Sequence, residues 1–356
     1  MKKILFTAFA TGLLLSAAYS YNPPAGGEDL TQLASPANLS GANSVTGGAL
    51  FNAGADSIIV NPALTAGEQR VNLTAGYTFL YSADNDNEKQ VGGSFQTGIL
   101  IPFKLYIFSG YINGTFAPFG EMHLGDSLNF KAGLSKEITD KLSVGLAAGG
   151  GYAWDSDDRF GKDWALFGDV GILYDWGNLG FLSDFRLGAS VLNLGKMYND
   201  VKRVGIDKTK TNTPYPTLAT VRAGAAGTVL NTDIAKIGLG LDLSTPCFQN
   251  FIADFNAQVA FKNAFFVSVG EKFNLAEVIQ GKYNFIPSVA FLFKFSFDVK
   301  NNQYLEENGW SQSEMTVSAG YKNLYKTVHA ISGGVDIDLG MADNEAPKIL
   351  VWDEKE

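Results

Sequence analysis

The chain has 356 residues and a formal net charge of −9, with 18% charged residues, 13% aromatics and 40 glycines. The acidic balance excludes a nucleic-acid partner, because neutralising phosphates needs clustered Lys and Arg. The single cysteine, Cys247, excludes a disulfide framework and a thiolate metal cluster.

For a soluble domain of this length, charge is scarce while glycine and aromatics are plentiful. Mean hydropathy is +0.03, yet no apolar run reaches the ~18 residues that a membrane helix needs. Middling hydropathy without such helices is what a transmembrane β-barrel gives, since only alternate residues of its strands face lipid.

The chain opens on Met1-Lys2-Lys3 and the apolar run ILFTAFATGLLLSAA, followed by small residues at Ala18-Tyr19-Ser20. This is the layout of a signal peptide over residues 1–20, with a mature start near Tyr21. No cysteine follows the apolar run, so a lipoprotein is not expected. Residues 21–70 form the next unit. From Asn38 to Val71 there is no sustained period of two and no long apolar helix face. Small residues, Gly47-Gly48 and a closing Asn61-Pro62-Ala63 suit a compact, irregular segment that fits inside something else: a plug. Taken alone, Asn61-Pro62-Ala63 reads as an Asx or N-cap turn with Pro62 at a first helical position.

Val71-Asn72-Leu73-Thr74-Ala75-Gly76-Tyr77-Thr78-Phe79 alternates strictly, placing two residue sets on opposite faces of a strand. The same pattern returns up to residue 340, including Phe291-Leu292-Phe293-Lys294-Phe295-Ser296-Phe297 and Val335-Asp336-Ile337-Asp338-Leu339. It predicts fourteen strands near 71–82, 91–101, 105–117, 128–138, 141–154, 163–176, 184–194, 218–229, 236–244, 253–261, 264–274, 284–298, 314–322 and 327–340. Tight turns (Thr139-Asp140-Lys141, Asn231-Thr232-Asp233, Lys262-Asn263) alternate with longer polar loops, as in a barrel with one periplasmic and one outer face. Residues 299–313 depart from this scheme, forming a long connection on the tight-turn side. Aromatics such as Tyr77, Phe79, Tyr81, Tyr152, Trp154, Trp164, Tyr174 and Trp176 gather near strand ends, where interfacial girdles lie.

One face of each strand is almost wholly apolar. The other carries Lys131, Asp169, Arg186, Arg222, Asp242, Asp254, Lys294, Asp336 and Asp338. Such charges are costly in a dry core and expected along a wetted lumen, which sets aside a soluble sandwich or propeller. The fold class expected is therefore all-β: an antiparallel transmembrane barrel of about 14 strands over 71–340, plugged by its N-terminal segment. An acidic tail over 341–356 follows. An even strand number places both mature termini in the periplasm of an outer-membrane protein.

No catalytic residues are expected. The two histidines, His123 and His329, stand apart, and no G-x-S-x-G, P-loop or H-E-x-x-H spacing occurs. No cofactor and no metal site are expected either: Asp56, Asp336 and Asp338 could suggest a cation, but a polar wall explains them more simply. The basic stretch Lys196, Lys202, Arg203, Lys208 and Lys210 falls in a long outer loop. It reads equally as a capture site for carboxylates or anionic head groups and as a solvated loop.

Glycine-rich sequence, Ala55-Asp56-Ser57, an apolar triplet and Asn61-Pro62-Ala63 just before the first strand resemble the N-terminal hatch of FadL-type outer-membrane transporters. A segment like Asn22-Pro23-Pro24-Ala25-Gly26-Gly27-Glu28 and a late Trp310 to Glu314 resemble more closely a spirochaetal branch of FadL-like proteins. The resemblance implies a fourteen-stranded barrel for long-chain fatty acids or other hydrophobic small molecules, with Gly47, Gly48, Asp56, Asn61, Pro62 and Ala63 in a gating hatch. Its implied partners are outer-membrane lipid, the hydrophobic solute and the outer-membrane assembly machinery, with the chain a monomer. Unlike the family pattern, the chain ends on an acidic tail rather than an aromatic strand residue, so any assembly signal is internal, near Val335 to Leu339. An alternative from another class is a scaffold or shuttle barrel for secreted or surface proteins.

Overall fold

The computed structural model describes residues 33, 35–83, 89–116, 126–154, 162–196, 219–246, 248, 250–279, 281, 283, 285–298, 312–324 and 328–340. The expected signal peptide, the acidic tail, Asn22 to Glu28 and Lys202, Arg203, Lys208 and Lys210 lie outside them.

Fourteen antiparallel strands close into one barrel. They are β1 (Val71–Ala83), β2 (Lys89–Pro102), β3 (Ile107–Phe116), β4 (Asp126–Thr139), β5 (Leu142–Trp154), β6 (Lys162–Leu179) and β7 (Leu182–Lys196). The second half holds β8 (Thr220–Asn231), β9 (Ala235–Pro246), β10 (Ile252–Phe261), β11 (Phe265–Asn274), β12 (Ser288–Asp298), β13 (Gln312–Leu324) and β14 (Val328–Leu339). Each strand pairs with its neighbour in sequence, and β1 closes the ring on β14 from Val71↔Leu339 to Ser82↔Val328. Closure leaves no free sheet edge.

The period of two in the sequence sorts the side chains. On β1, Leu73, Tyr77 and Phe79 are exposed while Asn72, Thr74, Thr78, Leu80 and Ser82 are buried. On β12 the exposed face is Phe291, Phe293, Phe295 and Phe297. The outside is therefore an apolar and aromatic band, and the polar residues point inward. Among the described residues no helix is long and apolar enough to cross a membrane, which says nothing of strands.

The largest boundary difference is at β12, which begins at Ser288 rather than near residue 284. Pro287 has no N–H to give the ladder, and the preceding Tyr283 turns away to donate its hydroxyl to Glu271 Oε1 at 2.7 Å. Lys196 also moves: it belongs to the end of β7 and not to a loop.

The N-terminal segment is irregular, with a short helix Pro36–Leu39 and a 3-10 turn Ala55–Ile59. The helix packs on β12, β13 and β14, and the 3-10 turn on β1 to β4. Ile58, Ile59, Val60, Ala63 and Leu64 cluster with Tyr111, Ala147 and Leu173, which are inward residues of β3, β5 and β6. Leu33 and Leu39 cluster with Leu80, Leu324, Val328 and Ala330 of β1, β13 and β14. Contacts to such distant arcs of one closed ring put the segment in its interior.

Candidate functional site: the segment inside the wall

The segment lies so close to the wall that several strands have no room for a side chain. A Cβ added at Gly145 would stand 2.3 Å from Pro62 O, and at Gly188 2.3 Å from Val45 O. At Gly238 it would stand 2.5 Å from Ala49 O, and at Gly270 2.3 Å from Ser40 O. At Gly171 it would be 1.9 Å from Asn61 Oδ1. Glycine in a strand interior weakens the strand and marks close backbone approach. Here β5, β6, β7, β9 and β11 all yield to the same segment.

Hydrogen bonds then fix it. Asn61, fully buried, donates from Nδ2 to Val45 O at 2.8 Å and to Ile172 O of β6 at 3.0 Å. Its Oδ1 accepts from Ala63 N at 3.0 Å, closing an Asx turn over Pro62. One amide therefore shapes the turn and fastens it to the wall. Ser190 Oγ of β7 donates to Val60 O at 2.7 Å, and Thr65 Oγ1 meets Ser135 Oγ of β4 at 2.8 Å.

Gly47 and Gly48 take φ of +82° and +88°, values that side-chain-bearing residues rarely adopt. The resulting bend presents carbonyls to Arg186 of β7. The guanidinium donates to Thr46 O at 3.3 Å, Gly48 O at 3.0 Å and Ala49 O at 3.3 Å, and lies 5.2 Å from the Phe51 ring centroid. Two strands further along the wall, Asp242 Oδ2 of β9 accepts from Val45 N at 3.0 Å and from Arg222 Nη2 at 2.6 Å. Gln258 Oε1 of β10 accepts from Leu50 N at 2.7 Å.

Asn72 Oδ1 of β1 accepts from Ala55 N at 2.8 Å. Asp56 accepts from Gln96 Nε2 at 3.3 Å, and Gln96 Oε1 accepts from Tyr111 OH at 2.7 Å. Burial pushes the Asp56 carboxyl above its ordinary value, partly offset by hydrogen bonds from Gln96 and Ser35. Where the segment enters β1, Arg70 meets Glu68 at 3.0 Å, Glu314 at 2.6 Å and Asp338 at 3.5 Å. Burial works against its charge, but those three carboxylates hold the guanidinium above its usual value.

Most of the interior charges read from the sequence fall into pairs, Arg186 and Asp336 being outside the ion pairs described. Arg222 joins Asp242, Lys131 joins Asp169 at 2.6 Å, and Lys272 joins Asp254 at 3.6 Å. Lys294 joins Glu314 at 2.7 Å, beside Asp338. Asp336 sits opposite Thr74 and Thr316. Lys131 also donates to Asn193 Oδ1 at 3.1 Å, while Asn193 N donates to Asp169 Oδ1 at 2.6 Å from a bulged, left-handed position at φ 58°. Buried pairs with added hydrogen bonds meet the desolvation cost that isolated charges would not. These residues lie on the inner side of the wall, and Arg186 and Asp242 among them also bond to the segment. Lys196 pairs with Asp163 at 2.8 Å and lies 4.1 Å from the Trp164 ring centroid. His329 meets Tyr321 OH through Nδ1 at 2.8 Å, between strands β13 and β14.

Beside the segment the described residues line a small recess of about 20 Å³, room for about one water. It borders Asn38, Gly41, Asn43, Arg222, Asp242 and Asn256 and is polar, where an apolar pocket suits a hydrophobic solute. Several functional side chains were not singled out from sequence: Asn72, Gln96, Gln258, Ser190, Thr65, Arg70, Glu314 and Asn256. The available signal was their inward strand phase and, for the wall glycines, small residues at inward positions.

No protein-family model matches the sequence, and no curated protein sequence matches it. Among solved structures the chain is similar to the P. putida toluene transporter TodX, with TM-score 0.53 and 12% identity over 89% of this chain and 100% of that one. A TodX monoaromatic hydrocarbon channel deltaS2 mutant gives TM-score 0.54 and 11% identity, over 88% and 100%. The CymD monoaromatic hydrocarbon channel gives 0.52 and 13%, over 88% and 98%. The chain shares their barrel fold. These likenesses lend no support to the spirochaetal branch that Asn22 to Glu28 and Trp310 to Glu314 resemble.

Proposed function

We propose that this protein is an outer-membrane channel for passive uptake of hydrophobic solutes, long-chain fatty acids foremost, and that residues 33–70 are its hatch. The observation that carries this reading is the closed wall whose inward glycines and polar side chains accommodate an irregular segment filling the interior. A load-free structural barrel has no need of such a tailored insert, whereas a selective pore does. The apolar band on every strand face supports placement in a bilayer, since exposed apolar area on this scale is not tolerated in water. The fold shared with the TodX and CymD channels supports the same reading.

In this mechanism an amphiphile enters from the end with the longer connections, partitions to apolar surface and passes when the hatch shifts. Transfer from water is favourable by ~0.8 kcal/mol per buried methylene, so binding needs no catalysis. Release needs a conformation that binds less tightly, which gives the hatch its task. Gly47, Gly48, Asp56, Asn61, Pro62 and Ala63 shape the segment that moves, with Arg186 and Asp242 as its wall contacts.

Native mass spectrometry of the detergent-purified mature protein tests the reading, with identification of any amphiphile that co-purifies. Stoichiometric fatty acid or another hydrophobic solute, lost on Asn61→Ala, is expected. An empty barrel holding a protein partner in its place would instead favour a scaffold.

A further inference from the structure

The connection between β11 and β12, of which residues 275–279, 281, 283 and 285–287 are described, belongs to the outside of the wall. On β11, Gly270 faces Ser40 of the inner segment and Lys272 pairs with Asp254. Side chains alternate along a strand, so Glu271 and Phe273 stand on the opposite, outer face, in line with the exposed Val269. Tyr283 comes back onto that face. Its ring lies edge-on to Phe273 with centroids 5.8 Å apart, and its hydroxyl donates to Glu271 Oε1 at 2.7 Å. The chain leaving β11 thus returns along the outer surface of the wall before β12 begins.

The surface it presents is apolar. Leu275, Val278, Ile279, Phe285 and Ile286 are exposed, Ile279 by 72% and Phe285 by 71%. They extend the outward band formed by Phe255 of β10, Val269 of β11 and Phe291 of β12. Its polar groups, meanwhile, are met within the protein. The helical turn Leu275–Ile279 begins with Leu275 N donating to Phe251 O and Ala276 N to Asn250 Oδ1, both at 3.0 Å. Gly281 N donates to Val278 O and Tyr283 N to Glu277 O, both at 3.1 Å. The Glu277 carboxylate accepts from Asn274 Nδ2 at 3.3 Å, as Glu271 does from Tyr283. In an ordinary surface loop water serves such groups, whereas beside hydrocarbon each needs a partner in the protein. Apolar side chains turned outward over internally bonded amides suit a membrane boundary, and a tyrosine with its hydroxyl engaged suits the interface.

We infer that the β11–β12 connection is a lipid-binding surface, seated at the rim of the membrane leaflet with Ile279, Phe285 and Ile286 among the upper acyl chains. This rests on the bilayer placement proposed above and adds to it a surface that lies outside the strands. The partner is a lipid leaflet, and not a second copy of the chain or a soluble protein, because the patch is continuous with the apolar band of the wall and faces the same way.

The test uses the full mature chain carrying Cys247→Ser, with Ile279→Cys, Phe285→Cys or, as a control on the wall, Phe293→Cys added singly. Each variant is labelled with an environment-sensitive nitrobenzoxadiazole dye and placed in phosphatidylcholine nanodiscs. Lipids bearing a nitroxide near the head group or deep in the acyl chain serve as quenchers. Dye at 279 and at 285 is expected to emit further to the blue than free dye in buffer. It should also be quenched about twofold or more by the shallow nitroxide, and less by the deep one. Emission as in buffer would overturn the inference, as would stronger quenching by the deep nitroxide. A blue shift that neither nitroxide quenches would overturn it in favour of a protein partner. If dye at 293 is quenched while dye at 279 and 285 is not, the barrel keeps its bilayer and this inference alone falls. If dye at 293 is unquenched too, the bilayer placement falls with it.

Discussion

Substituting Gly171 by Ala puts one methyl group where the Asn61 turn of the inner segment rests on the wall. The new Cβ would stand 1.9 Å from Asn61 Oδ1 and 2.8 Å from Pro62 Cδ. An ordinary contact requires the turn to withdraw by more than about 1 Å. That movement breaks or stretches the bond from Asn61 Nδ2 to Ile172 O, now 3.0 Å. Overpacking costs ~1–3 kcal/mol and a lost hydrogen bond ~1 kcal/mol, together about 2–4 kcal/mol against the docked hatch. The docked-to-released ratio should fall roughly 30- to 1,000-fold, at about 1.4 kcal/mol per tenfold. Single-channel recording in planar bilayers reads this as a higher open fraction. Gly333→Ala is the control, since its Cβ would meet nothing within 4 Å. A Gly171→Ala barrel that is folded yet conducts like the unaltered protein would refute the reasoning.

Three further outcomes are expected. Arg186→Lys should partly, and Arg186→Ala fully, free the carbonyls of Thr46, Gly48 and Ala49, because an ammonium cannot reproduce the planar fork; limited proteolysis between residues 46 and 52 should quicken in that order. Burial raises the pKa of the Asp56 carboxyl, so the docked segment holds that proton to higher pH than a released one would. Docking is then strongest at low pH and weakens as pH climbs above the ordinary aspartate value toward the raised one, and Asp56→Asn should flatten the conductance–pH curve. Arg70→Met leaves Glu68, Glu314 and Asp338 close together without their shared cation, and should lower the barrel's unfolding free energy by about 1–3 kcal/mol, measured in urea.

The wall was legible because burial on one face imposes a period of two that no other element shares. The alternation of Phe291, Phe293, Phe295 and Phe297 with Leu292, Lys294 and Ser296 announces a strand with one apolar side, and the exposures follow it. Pro287 was a visible stop signal, and heeding it would have placed the start of β12 at Ser288. Partners were not legible. Asn61-Pro62-Ala63 gives its Asx turn locally, but its bond to Ile172 O spans 111 residues and leaves no local trace. Alternation likewise told that Lys131, Asp169, Arg222 and Asp242 face inward without telling that they are paired. Gly145, Gly171 and Gly188 read as weak strand positions until the segment resting on them is seen. Lys196 looked like part of a basic loop because nothing near it in sequence reveals Asp163 on the neighbouring strand.

The central claim is that residues 33–70 close a channel that the wall would otherwise leave open. Planar-bilayer conductance of the protein with residues 38–63 deleted, beside that of the full mature chain, tests it most directly. A folded barrel with a large, steady ionic conductance that the full chain lacks is the result expected. Conductance unchanged by the deletion would contradict the account.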